Sequence, residues 1–241
     1  VHVESGGIIG VEALIRWQNP GVGLVPPDQF IHVAEDIGLI NPIGDWVLRE
    51  ACRQVRAWQD AGLPPLFVAV NVSPIQFRQA GFVDTVARAL SASGLNARYL
   101  ELELTERTVM NDAEQNLGTL SALSAMGIEL ALDDFGTGYS SLAYLKRLPI
   151  TELKIDRAFV QAMTADLLDA EIVRLIVRMG RQVGLRVVAE GVETNKERRM
   201  LADFGCSVIQ GYGIAKPLPF AEFAAFLAGH SSGWDGLPKA A

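Results

Sequence analysis

The feature that most limits the fold of this chain is an alternation between two hydrophobic periods. Short apolar, β-branched runs occur at Ile8–Ile15, Leu66–Val72, Tyr99–Leu104, Glu129–Leu132, Glu152–Ile155, Arg186–Ala189 and Ser207–Gln210. Stretches with helical spacing separate them: Asp28–Asp36, Gly44–Ala61, Phe82–Ser93, Asn111–Met126, Ser140–Lys146, Asp169–Val183, Asn195–Phe204 and Pro219–Ala228. Glycines such as Gly62, Gly94, Gly127, Gly184 and Gly205 stand where a helical stretch gives way to a strand run. Glycine there supplies the left-handed residue that ends a helix. Strand alternating with helix predicts a parallel sheet covered on both faces.

Length narrows the architecture. At 241 residues the chain matches a (β/α)8 barrel, which takes about 250 residues. An open doubly wound sheet is the alternative, but no GxGxxG follows the first strand. The expected fold is therefore a TIM-like α/β barrel, seven of whose strands are visible in this sequence. The chain opens on Val1-His2-Val3-Glu4 and reads as a piece of a longer protein. Residues 1–229 are expected to form the barrel, and residues 230–241, rich in small and polar side chains, a flexible tail.

Charge removes some functions. With 21 Lys and Arg against 28 Asp and Glu, the net charge is −7. Duplex nucleic acid needs clustered cations, which this balance does not offer. No apolar run approaches the roughly 20 residues of a membrane span, so no membrane contact by this segment is expected. Cys52 and Cys206 stand in no CxxC pair and are expected to be buried thiols in a reducing, cytoplasmic setting.

The chemistry lies at the ends of the strand runs. Glu12, Asn71, Glu103, Asp133, Asp134, Lys154, Glu190 and Gln210 each stand at or near such an end. A parallel barrel opens all its C-terminal strand ends on one face. These residues, distant in sequence, are thus expected to converge. Carboxylates gathered in one cleft repel and lose hydration unless a positive charge lies among them. Lys154 supplies one charge, which leaves room for hard divalent cations, Mg²⁺ or Mn²⁺. No His falls at a strand end, which argues against a His-based zinc site or a Ser-His-Asp triad. Any single acid here could instead be a helix cap; the recurrence along successive strands is what capping alone does not explain. Glu101 is expected to face outward in a structural role, and Trp17, Trp46 and Trp58 to pack in the core or against helices.

These motifs, in this order, resemble the EAL domain family of cyclic di-GMP phosphodiesterases. The resemblance runs from about residue 8 to about residue 228. It covers Glu12-Ala13-Leu14-Ile15-Arg16-Trp17, Asn71-Val72-Ser73-Pro74, Glu103-Leu104-Thr105-Glu106 and Asp133-Asp134-Phe135-Gly136-Thr137-Gly138-Tyr139-Ser140-Ser141. Lys154-Ile155-Asp156, Glu190-Gly191-Val192-Glu193, Gln210-Gly211-Tyr212 and Lys216-Pro217-Leu218-Pro219 complete it. It implies a modified barrel whose first, antiparallel strand is missing from this chain. It implies two divalent cations held by Glu12, Asn71, Glu103, Asp133, Asp134 and Glu190, with Glu12 also essential to catalysis. Lys154 and Gln210 would act on the attacking water, and Glu106 would hold the loop after Asp134. Leu14, Arg16, Asp156, Glu193 and Tyr212 would touch the substrate. The resemblance also implies a homodimer contact near Ser140–Arg147 and attachment to other signalling domains. A silent cyclic di-GMP receptor and an unrelated metal-dependent barrel enzyme are the alternatives.

Overall fold

The computed structural model describes residues 1–111, 113–136 and 145–229. Seven strands form one sheet in the order β1 (Gly10–Ala13), β4 (Phe67–Asn71), β5 (Leu100–Thr105), β6 (Glu129–Phe135), β7 (Glu152–Ile155), β8 (Arg186–Ala189) and β9 (Val208–Ile209). Every neighbouring pair in it is parallel. Among the described residues, helices lie in the connections from β1 to β4, β4 to β5, β5 to β6, β7 to β8 and β8 to β9, as the crossovers of parallel strands require. The two remaining strands, β2 (Trp17–Asn19) and β3 (Gly23–Val25), form a separate antiparallel hairpin. Beside β9, where an eighth strand would close the barrel, Val1–Val3 run antiparallel through a bridge from His2 to Val208 and backbone bonds to Ser207 and Ile209.

The alternating faces of the strands meet different surroundings. Leu100, Leu102, Leu104, Leu130, Leu132, Leu153 and Ile155 are buried within the apolar cluster that also takes in the helices Ile40–Asp60, Phe82–Ser93 and Leu167–Gln182. The intervening positions carry the polar side chains: Glu101 and Glu103, Glu152 and Lys154, all buried. Residues two apart on a strand share a face, so Glu101 points with Glu103 into the barrel and not outward. There its Oε2 accepts a bond of 2.6 Å from Arg186 Nη2, while Arg186 Nε donates to Glu152. These three side chains form a charged floor one step below the strand ends.

Other expectations are also revised. Trp58 is buried and stacked on Phe220, but Trp17 and Trp46 are half exposed. The hairpin and the short helices Pro74–Phe77, Glu106–Met110 and Arg157–Ala162 add elements that hydrophobic period alone did not mark. The helix expected over Ser140–Lys146 and the tail 230–241 lie, wholly or largely, outside the described residues.

Candidate active site

The strand ends are brought together around one ammonium group. Lys154 is 1 % exposed. Its Nζ bonds Glu103 Oε1, lies 2.6 Å from Glu190 Oε1, and stands 3.8 Å from Glu12 Oε2 and 3.9 Å from Asp133 Oδ1. β5, β1 and β6 each supply one of these acids, the residue directly after β8 supplies Glu190, and β7 supplies the lysine. Glu12 is held from two further sides: Asn71 Nδ2 donates to its Oε1 at 2.6 Å, and Gln210 Nε2 donates to its Oε2. Five of the expected positions thus share one cluster of ion pairs and hydrogen bonds, and Asn71 and Gln210 join it at its edge.

The paired aspartates depend on a bulge. Leu132 pairs with Leu153 and Phe135 with Ile155, so β6 advances three residues where β7 advances two. An extra residue in one strand breaks the strict alternation of faces. Asp134 takes a left-handed φ of 54°, its N–H bonding Asp133 Oδ1 at 2.9 Å. Glu106 is buried, and its Oε2 accepts the N–H of Gly136 at 3.2 Å. Gly136 itself has φ 103°, and a Cβ there would stand 2.9 Å from Phe159 Cε2. A side chain at that point is excluded on both counts. Thr137–Ser141 of the same motif lie outside the described residues.

The electrostatics show too much negative charge for one lysine. Burial works against a charged Lys154, but the surrounding acids, Glu103 first, outweigh it and hold its pKa well above the ordinary value. Burial raises Glu103, against the pull of Lys154. Burial also pushes Glu190 up to about 7, and burial with Asp133 and Asp156 nearby pushes Asp134 up to about 6. Carboxylates held this way take up protons or a second cation. Among the described residues no three acids stand as a finished ion cage. The donor set nevertheless fits a hard cation: its oxygens are carboxylate or amide, and buried Glu103 Oε2 has no hydrogen-bond partner.

A cavity of about 750 Å³ opens over this cluster, with Glu12, Asp133, Glu190 and Gln210 in its wall. Leu14, Arg16, Glu193 and Tyr212 also line it. Asp156, the remaining expected substrate residue, does not. Its Oδ1 accepts from Ala158 N at 2.7 Å and caps the helix Arg157–Ala162, and its carboxyl also neighbours Asp134. Sequence reasoning passed over Arg157, which also reaches the cavity. Its place directly after the Lys154-Ile155-Asp156 strand end was the available signal. It passed over the floor of Glu101, Glu152 and Arg186 because the two-residue period was misapplied at Glu101.

A parallel barrel with acids at its strand ends defines a class of protein to which sequence and structure comparison give a family. The sequence model of the EAL domain matches residues 1–217, and the chain belongs to that family. A bifunctional diguanylate cyclase/cyclic di-GMP phosphodiesterase of Pseudomonas aeruginosa, MucR, is 50 % identical over 95 % of this chain and 33 % of its own length. The cyclic di-GMP phosphodiesterase NbdA of the same organism is 45 % identical over 93 % of this chain and 29 % of its own length. The chain therefore spans about a third of the length of these relatives. A solved structure of the PaMucR phosphodiesterase in complex with c-di-GMP superposes with a TM-score of 0.88 at 51 % identity, covering 90 % of this chain and 88 % of that one. The EAL enzyme Bd1971, with cAMP and cyclic di-GMP bound, gives 0.88 at 32 % identity, covering 94 % of this chain and 62 % of that one. Among the described residues no helix is long and apolar enough to cross a membrane.

Proposed function

We propose that this domain hydrolyses cyclic di-GMP to linear 5′-phosphoguanylyl-guanosine in a reaction dependent on two divalent cations, Mg²⁺ or Mn²⁺. The observation that carries the reading is the convergence of Glu12, Glu103, Asp133 and Glu190 on buried Lys154 beneath an open cavity. Kinship to phosphodiesterases supplies the substrate.

Glu12, Asn71, Glu103, Asp133, Asp134 and Glu190 would hold the cations. Bound there, the ions would supply an activated water and charge for the oxygens of the phosphodiester. The protein's own groups do the rest. Asn71 and Gln210 fix both oxygens of Glu12, so this carboxylate presents one orientation. Lys154 and Gln210 would offer donors to the attacking water, and Glu106, which accepts the N–H of Gly136, would steady the turn that carries Asp134. Arg16 offers a guanidinium to a phosphate, and Leu14 and Tyr212 offer apolar surface to a base. Water adds to one phosphorus, the bond to the 3′ oxygen breaks, and that oxygen takes up a proton. Asp156, which caps the helix Arg157–Ala162 and neighbours Asp134, would also face the substrate from the rim.

The test is incubation with cyclic di-GMP and Mn²⁺ or Mg²⁺, with and without a chelator, resolving the nucleotides. Linear dinucleotide should form and should vanish on chelation. Glu12→Ala should lower turnover by at least about a hundredfold while the domain stays folded. Tight binding with no turnover at high protein would replace this reading by that of a receptor module. The proposal extends to a cytoplasmic homodimer attached to further signalling domains, which sedimentation of the longer protein would check.

A further inference from the structure

Asn116 lies on the helix Ala113–Ala125, outside the motifs that built the site and away from the cavity wall. It is nevertheless 6 % exposed, and its amide is spent on backbone carbonyls of the preceding helix. Nδ2 donates to the carbonyls of Thr108 at 2.8 Å and Asn111 at 2.7 Å, with a longer bond of 3.4 Å to Val109. These carbonyls belong to the end of the five-residue helix Glu106–Met110 and the residue just past it. A helix so short leaves its last carbonyls without donors of its own. One buried amide from a neighbouring helix meets three of them.

The other end of that helix is secured separately. Thr105 Oγ1 caps it, accepting from Thr108 N at 3.3 Å and sharing a hydrogen bond of 2.8 Å with Thr108 Oγ1. Its first residue is Glu106, whose carboxylate takes the N–H of Gly136. Gly136 is two residues past Asp134, the left-handed residue of the bulge. A continuous line of hydrogen bonds and one rigid helical turn therefore joins Asn116 to the aspartate turn.

We propose that Asn116 is a positioning residue for the Asp133–Asp134 turn, acting through the Glu106 helix, and so for the cation site. The inference rests on the reading above for its functional meaning. Its first measurement uses metal-free protein, so it can fail while hydrolysis is observed, and can hold where hydrolysis is not.

The experiment compares Asn116→Leu, Asn116→Gln and Glu106→Leu in the full chain. Amide hydrogen exchange is followed over residues 129–136 without metal, and Mn²⁺ binding is then measured by calorimetry. Asn116→Leu should speed exchange at Gly136 by about tenfold, as Glu106→Leu does, because both loosen the hold of the Glu106 carboxylate on that N–H. The double variant should go no further than Glu106→Leu alone, since both act on one line. Asn116→Gln, which keeps two donors, should restore much of the protection. Mn²⁺ affinity should fall by about 10- to 100-fold in Asn116→Leu, the usual effect of removing a residue that supports metal ligands. Wild-type exchange at Gly136 in Asn116→Leu, with faster exchange confined to residues 106–111, would overturn the proposal. So would independent, additive effects of the two substitutions. If Asn116→Leu does not fold, Asn116→Ser, which keeps one donor, is judged by the same two criteria.

Discussion

Replacing Arg186 by Met asks whether the floor of the barrel is held by charge or by packing. Met keeps an apolar stem against Phe67, whose ring centroid lies 4.9 Å from the guanidinium carbon. What is lost is the cation between Glu101, 2.6 Å away, and Glu152. Glu101 and Glu152 are 0 % and 2 % exposed, and Glu101 Oε1 already has no partner. Removing one member of a buried ion pair costs about 3–5 kcal/mol. The Arg186 side chain keeps 30 % of its exposure, so the low end, about 3 kcal/mol, applies. For a domain of this length each kcal/mol moves Tm by about 2–4 °C, giving a fall of roughly 6–12 °C near neutral pH.

The effect has a pH signature of definite sign. Burial, joined by Glu152, pushes Glu101 up to about 8, with Arg186 pulling the other way. A carboxyl whose folded pKa is raised binds its proton more tightly in the fold than in the unfolded chain. Its stabilisation is complete below the unfolded value and is lost as pH rises toward about 8. Without Arg186 the folded value climbs further and the loss continues. The gap between wild type and variant should then widen above pH 8 by up to about 1.4 kcal/mol per pH unit. Urea and thermal unfolding at pH 6, 7.5 and 9 measure it. A loss below about 1 kcal/mol, or an equal loss at pH 6 and 9, would refute the charge argument and leave packing as the cause.

Two further outcomes follow from the core. Trp58→Ala should cost about 3 kcal/mol, because Trp58 stacks on Phe220 at 4.8 Å and 9° and meets Phe223 at 4.9 Å; the lower end of the usual range applies since these rings already border the cavity, and a melting curve unchanged from wild type would contradict the packing. Cys52 and Cys206 are buried, and burial pushes their thiols up to about 12 and about 11, so neither should react with a thiol reagent at pH 8 until the chain unfolds; rapid labelling of native protein would show one of them to be reachable.

What could be read from the sequence, and what could not, divides along a physical line. The strand runs 152–155 and 186–189 and the helices 82–93 and 195–204 coincide with the observed elements, because each has a clean period and the two helices end on left-handed glycines, Gly94 and Gly205. The hairpin at Trp17–Val25 had no such period. Its three-residue strands are half exposed, and its turn is set by Asn19 Oδ1 accepting from Gly21 and Val22. The convergence of Glu12, Glu103, Asp133, Lys154 and Glu190 was legible because a repeated unit fixes where each strand ends. A position within the unit then stands for a position in space. The Asp133–Asp134 geometry was not legible, since it depends on a one-residue bulge against β7 and on Glu106 reaching Gly136. Asn116 gave no signal at all. An Asn within a helical stretch reads as a surface residue, and its burial follows from how Ala113–Ala125 packs against Glu106–Met110. No repeat encodes that packing. The groups that would perform chemistry here are therefore set by the symmetry of the barrel, and the groups that would hold them in place are set by contacts particular to this chain. Substitutions among the second kind are where close relatives sharing every motif could still differ in cation affinity.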